Sequence, residues 1–369
     1  MLKKSSLLCL MVCLLLFFSE LKAQLTTPYD SPKAQVMQRI GITDVTVTFY
    51  RPSVGGREIW GKLVPYGFND LGFGTSKAAP WRAGANDNTT ILLSNDVKVA
   101  GQLLKAGIYG LHMALEESGK VIVIFSKNSS SWGSYYYQEK EDVLRITTQW
   151  EDAPMQEMLT YEFSEVTTNA AVLALRWEKK RIPFKIEVNT HDQVVANFEN
   201  ELRSSIGFNW TAWNTAAQYC LINQVHLEKG LEWADASIHA PFIGQKNFTT
   251  LSTKAQILSK LNREKEALTI MDEALPMGTV IEIHTYGRQL LAQGNKTKAL
   301  EVFKLNAKKF PNTWPVDFGL ARGYSANGDF QTALKHANLA LKQVPAGDQA
   351  NKTNLENAIQ LLKNGKDIN

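Results

Sequence analysis

Two short stretches gather the side chains best suited to gripping a ligand. The segment PWRAGANDNTT (residues 80–90) crowds Trp81, Arg82, Asn86 and Asp87 about Gly84, directly ahead of a run of strand formers. The segment RPSVGGREIWGKLVPYG (residues 51–67) places Arg57 and Trp60 among glycines. A guanidinium is a planar fork of donors that can clamp a carboxylate, a phosphate or sugar hydroxyls in one orientation. The same donors can instead pin a glycine-rich loop, by satisfying carbonyls that lack a sheet partner. Asp87 and Glu58 are available as internal counter-ions, and Asn86 and Asp87 equally suit a turn before the strand that starts at Thr89. Trp60, Trp81, Trp132 and residues 135–137, all tyrosine, offer rings on which a sugar or peptide could stack, or rings that fill a core.

Acid–base chemistry has fewer candidates. None of the six histidines stands in HxH, HExxH or another metal-ligand spacing, so no metal site is expected. His112 is set apart by its place two residues past Gly110 on an expected strand, on the face opposite Leu111. It is either a structural histidine or an acid–base group beside the polar loops. The run SKNSSSWGSYYY (residues 126–137) reads as an exposed loop whose serines have no identifiable base, and no GxSxG elbow is present. No glycine pattern for a nucleotide follows a strand, so no cofactor is expected. The expected site is therefore a binding site of Arg57, Trp81, Arg82, Asn86 and Asp87, with His112 as a further candidate. The alternative is a hydrolase-type site using Asp87 or His112 beside Arg82.

These residues need a scaffold, and residues 31–190 describe one. Short segments alternate in polarity between turn residues, the pattern of antiparallel sheet with one buried face. Val45, Val47 and Phe49 share one face. Further strands are expected over 89–94, 96–104, 107–115, 121–126, 143–150, 158–164, 170–178 and 182–188, with a hairpin turn at 116–119. About nine strands without a long helix imply a β-sandwich.

Four motifs in this half, RPSVGGREIWGKLVPYG, PWRAGANDNTT, KAGIYGL and WGSYYYQEKEDVLRI, resemble the bacterial family labelled domain of unknown function 2911. The resemblance spans residues 31–188. It implies an exported protein and carries no established activity or catalytic residue. The chain departs from the family pattern at NDLGFGTSKAA (residues 69–79), an insertion beside the shared motif that could alter or cover the site.

After Val188 the alternation gives way to helical spacing. Gly287, Leu290, Gly294, Ala299 and Pro311 recur as Ala321, Tyr324, Gly328, Ala333 and Pro345, each at an offset of 34. That is the tetratricopeptide period. A unit with an offset of 32 precedes them, and a more divergent one begins near Asn209. The expectation is an all-α tetratricopeptide-like solenoid over 205–369, of about four hairpins with a capping helix over 351–364, preceded by a linking helix over 191–204. Such arrays dock proteins on a concave surface, or simply brace a neighbour.

Length and composition fit this layout. A chain of 369 residues suits about two domains. Residues 1–23 join Lys3 and Lys4 to an apolar run ending at Phe18, then reach Ala23: a secretory signal peptide, too short for the ~20 residues of a membrane span. Its removal deletes three lysines and one glutamate, taking the formal charge from +4 to +2 and leaving Cys220 as the single cysteine. No strong field for nucleic acid or acidic lipid remains, no disulfide framework is available, and no membrane span is expected after cleavage. The chain thus reads as a multidomain, exported, non-catalytic binding or scaffold protein of the periplasm or extracellular space. Its β-sandwich (residues 24–190) would take a small polar or carbohydrate-like ligand, and its repeats a protein partner.

Overall fold

A computed structural model describes residues 27–369, so the expected signal segment lies outside the described residues. The chain divides into two compact units that meet between Gln193 and Val194.

The first unit is an antiparallel β-sandwich, as the alternation predicts. One sheet has six strands in the order β1-β2-β3-β6-β7-β8, formed by β1 (Lys33–Ile40), β2 (Thr43–Tyr50), β3 (Thr90–Leu93), β6 (Gly107–Leu115), β7 (Lys120–Ser126) and β8 (Asp142–Gln149). The other has four in the order β5-β4-β10-β9, formed by β4 (Val97–Val99), β5 (Gln102–Leu104), β9 (Glu151–Ser164) and β10 (Ala170–Glu187). Val45, Val47 and Phe49 point into the core together, and Trp177, Tyr161 and Phe125 are among the largest side chains sealed inside it.

The strand boundaries differ from the expectation in four places, each with a physical cause. β1 was not expected, because KAQVMQRI is half-exposed along its length and lacks a run of β-branched residues; as an edge strand it needs only one paired side. The segment expected over 96–104 is two strands, reversed at Ala100 and Gly101, which both adopt positive φ as a tight hairpin requires. β9 begins at Glu151 rather than 158, and its Pro154 is tolerated because β9 lies at the sheet edge. The two segments expected over 170–178 and 182–188 are the single strand β10, whose register against β9 shifts on both sides of Glu178. The charged stretch between them is solvated and paired, with Lys180 bonded to Asp152 at 2.6 Å and Arg181 to Glu151 at 2.9 Å.

The helical part opens with α1 (Thr190–Glu201) and continues as four helical hairpins. These are α2 (Trp210–Asn223) with α3 (Leu227–His239), α4 (Phe248–Lys260) with α5 (Glu264–Ala274), α6 (Val280–Ala292) with α7 (Lys296–Lys309), and α8 (Trp314–Ala326) with α9 (Phe330–Gln343). α10 (Gln349–Lys363) follows as a cap. Every hairpin turns through three residues, and in the last three the middle one, Asn262, Gly294 or Gly328, is left-handed. Small residues sit where the helices cross: Ala299 and Ala333 are fully buried, and a Cβ on Gly287 would fall 2.4 Å from Cε1 of Phe303. Helix α8 is buried almost all round, because the segment after α10 returns to it; Ser325 Oγ donates to Asp367 at 2.7 Å and accepts from the Ile368 amide at 3.1 Å.

Phe303 is therefore the plug of the third hairpin. Phe303→Ala is expected to lower the unfolding free energy of the helical unit by about 3–5 kcal/mol, read from urea denaturation followed by helical circular dichroism. Gly287→Leu should act in the same direction by about 1–3 kcal/mol through overpacking. An unchanged midpoint in both variants would remove this crossing as a stabilising contact.

Candidate functional site

Three loops converge at one end of the sandwich. The first, after β2, is stitched to the edge strand β9: the Val54 amide donates to Glu157 O at 2.8 Å, and the Leu159 amide to Pro52 O at 3.0 Å. Gly55 and Gly56 turn it through positive φ, which leaves Arg57 exposed while its guanidinium donates back to Val54 O at 3.0 Å and to Ser53 O. The second loop carries PWRAGANDNTT. Trp81 and Met113 of β6 exchange two backbone hydrogen bonds at 2.8 Å, so the loop starts as a short extension of the six-stranded sheet. Its turn is held from within the core, where the Thr89 and Tyr161 hydroxyls both donate to Ala83 O. The third loop, residues 127–138, folds over the outer face of β6 and delivers Gly133, Ser134 and Tyr135 to the second.

Arg82 joins the second and third loops. Its Nη1 donates to Asn86 O at 2.6 Å, and its Cζ lies 4.9 Å from the ring centre of Tyr135 and 5.7 Å from that of Trp132. The two rings stack on each other at 5.6 Å. A Cβ on Gly133 would sit 2.2 Å from Cζ of Arg82, so the missing side chain makes room for the guanidinium. Behind this layer Trp81 stacks on Trp177 at 6.0 Å and 15°, with Trp60 edge-on to both.

A cavity of about 420 Å³ opens between these loops. Arg57, Trp81, Arg82 and Asn86 all line it, together with Ser134, Tyr135 and Trp177. Asn69, Leu71 and Ala79 of the inserted segment form part of its wall, so the insertion borders the cavity. Its base is pinched by reciprocal amide–carbonyl bonds between Asn69 and Ala79, and its far side is tied down where the Thr75 and Ser76 amides donate to Tyr135 O. Among the described residues no carboxylate forms an ion pair with Arg57 or Arg82.

Asp87 and His112 lie outside this lining. Asp87 is exposed and accepts from the Tyr50 hydroxyl at 2.8 Å, a bond that pushes the phenol up to about 12. His112 does project from β6 opposite Leu111, but that face is buried too, and the imidazole is 2% exposed beneath the third loop. Its Nδ1 bonds Ser134 Oγ at 2.9 Å, and its ring packs edge-on against Tyr137. The expectation of an exposed loop whose serines have no identifiable base fails at Ser134, which is buried and has an imidazole partner. The pair is a poor nucleophile–base couple all the same. Burial, reinforced by the nearby Arg82 charge, holds His112 down to about 4, and no carboxylate bonds to it among the described residues.

Sequence reasoning missed Trp177, Ser134 and the clamp beneath the third loop. In that clamp Tyr137 donates to Asp142 at 2.7 Å, and Arg145 reaches Asp142 at 2.6 Å and the Tyr137 oxygen at 2.7 Å. Burial pushes the Asp142 carboxyl up despite both donors. The available signals were weak: a tryptophan alternating into a strand, and the acid and base at the start of β8. Among the described residues no group of histidine, cysteine, aspartate or glutamate side chains is arranged to hold a metal ion.

Fold and loops together define a two-module protein, a β-sandwich with a loop-end cavity followed by a tetratricopeptide-like hairpin array. Residues 31–186 match the model of a family described as a protein of unknown function (DUF2911). A comparison with curated proteins finds no match. Solved structures similar to the chain include YrrB, a TPR protein with an unusual peptide-binding site, at 17% identity over 44% of this chain and 82% of that one, with a TM-score of 0.30. A thermophilic TPR protein of Thermus thermophilus matches at 18% identity over 47% and 92%, with a TM-score of 0.32. The C-terminal part of a TPR repeat-containing protein from Cytophaga hutchinsonii matches at 13% identity over 48% and 73%, with a TM-score of 0.33. The repeat assignment itself rests on the 34-residue offset and on the four hairpins with their three-residue turns.

Because the folded state resists protonating His112, the unfolded chain takes up more protons below pH ~6.5. Stability is full above that value and is expected to fall as pH drops towards 4, by an amount on the order of 2–4 kcal/mol for this group. His284 of α6, held down to about 4 by burial and by Arg322 and Arg288, adds a like slope in the helical unit. Denaturant midpoints between pH 7 and 4.5 test this: His112→Asn should flatten the decline of the sandwich signal, and an unaltered slope would contradict it.

Proposed function

We propose that the protein is an exported, non-catalytic binding protein whose sandwich cavity holds a small polar or carbohydrate-like ligand and whose repeats dock a protein partner. The observation that carries the reading is the convergence of Arg57, Trp81, Arg82 and Asn86 on one cavity in which neither guanidinium has a carboxylate partner among the described residues. A half-buried cation walled by aromatic rings is a ready receptor for polar groups, and concave pockets of this size suit small molecules. The docking role draws on the repeat architecture, whose surfaces characteristically bind proteins. The hydrolase alternative finds less support, because Asp87 and His112 do not line the cavity and each is already committed to an internal bond. Export draws on the leader-like residues 1–23.

Two measurements test this. Expressed with its leader in a bacterial host, the chain should be recovered outside the cytoplasm with a mature N-terminus at Gln24; an intact Met1 on soluble cytoplasmic protein would refute export. A panel of neutral and acidic sugars, amino acids and inorganic anions, followed by tryptophan fluorescence and thermal shift, should contain a compound that stabilises the full chain and loses its effect in Arg82→Ala. If no compound in the panel acts, the cavity is not a ligand site.

A further inference from the structure

Arg82 lines the cavity. Tyr135 and Trp132, themselves stacked, pack against its guanidinium, and Nη1 gives one hydrogen to Asn86 O. The remaining donors meet no protein acceptor among the described residues. An edge with two parallel N–H groups is matched by a planar carboxylate, which accepts both at once. A phosphate or sulfate fits less well, since such anions are usually surrounded by backbone amides. Three residues of this wall, Pro52, Pro65 and Pro80, have no N–H to give to such a cradle.

The rest of the cavity fits a ring rather than a chain of charges. Trp81 and Tyr135 offer broad apolar surface, with Leu63 and Leu71 beside them, the kind of surface that packs against the C–H face of a sugar. Asn86 lines the same space, and its amide bonds only weakly to Ser31 O, at 3.4 Å, which leaves its oxygen to accept from a hydroxyl. Arg57 adds a second positive charge at the same cavity, without a carboxylate partner among the described residues. We propose that the ligand is a sugar of the uronic acid class, its carboxylate on the edge of Arg82, its ring against Trp81 and Tyr135, and a hydroxyl on Asn86. This rests on the reading of the cavity as a ligand site.

Probes that share one ring separate the possibilities. The full chain is titrated with glucuronate, galacturonate, glucose and glucose 6-phosphate, by calorimetry and by tryptophan fluorescence. The expected result is binding of at least one uronate about tenfold or more tighter than glucose. Arg82→Gln should abolish that preference while retaining the wild-type circular dichroism. Arg57→Gln, at an exposed position, should weaken the uronate several-fold and glucose by a smaller factor. Equal binding of glucose and uronate, or indifference to both substitutions, would overturn the carboxylate assignment while leaving a ligand site in place. Tightest binding of glucose 6-phosphate would overturn it in favour of a phosphate. If neither uronate binds, the assignment fails, and whether the cavity takes any ligand is decided separately by the broader panel.

Discussion

The loop end of the sandwich depends on where one guanidinium lies. Arg82 closes its own turn through Asn86 O and presses against Tyr135 and Trp132, which belong to a much later loop. Tyr135 in turn holds the inserted segment through its carbonyl. Arg82 thereby couples two loops, the Tyr135 backbone ties the inserted segment to them, and the glycine at 133 makes room for the guanidinium. The choice between a loop-pinning arginine and a ligand-binding one is not exclusive in this geometry. The guanidinium pins with one hydrogen and its ring contacts, and its other donors meet no protein acceptor among the described residues.

The layer beneath explains how a polar, serine-rich loop can close over a strand. β6 would expose one face if the six-stranded sheet ended at solvent. Instead the third loop covers it, which requires partners for the polar groups it buries. His112 with Ser134 and the Tyr137, Asp142 and Arg145 cluster provide them. A neutral imidazole suits this layer because it bonds without the cost of burying a charge. His112, open in the sequence to a structural or an acid–base role, lies in the polar interior of a loop.

Much of the architecture was legible because it is periodic. Alternation located β2, β3, β6 and β7 closely, and the 34-residue offset located the last two hairpins. Where periodicity is weak or interrupted, reading failed: β1 and the front of β9 are edge elements whose residues answer to solvent as much as to a core, and β10 carries its charges across a strand without ending it. At the candidate site, residue type singled out Arg57, Trp81, Arg82 and Asn86, which the fold brings to one cavity. It could not reveal Ser134 or Trp177, whose position there depends on packing between distant segments. Nor could it show that Asp87 and His112 turn to Tyr50 and Ser134 instead.

The inserted segment has the design of a detachable rim. Asn69 and Ala79 bond to each other across its base, so the chain enters and leaves at nearly one point, and between them Leu71 alone lines the cavity. The arginines and the tryptophan stack belong to other loops and strands. Evolution, or a protein engineer, can therefore lengthen, shorten or replace the rim and so retune what the mouth admits, while the anchoring chemistry behind it stays the same.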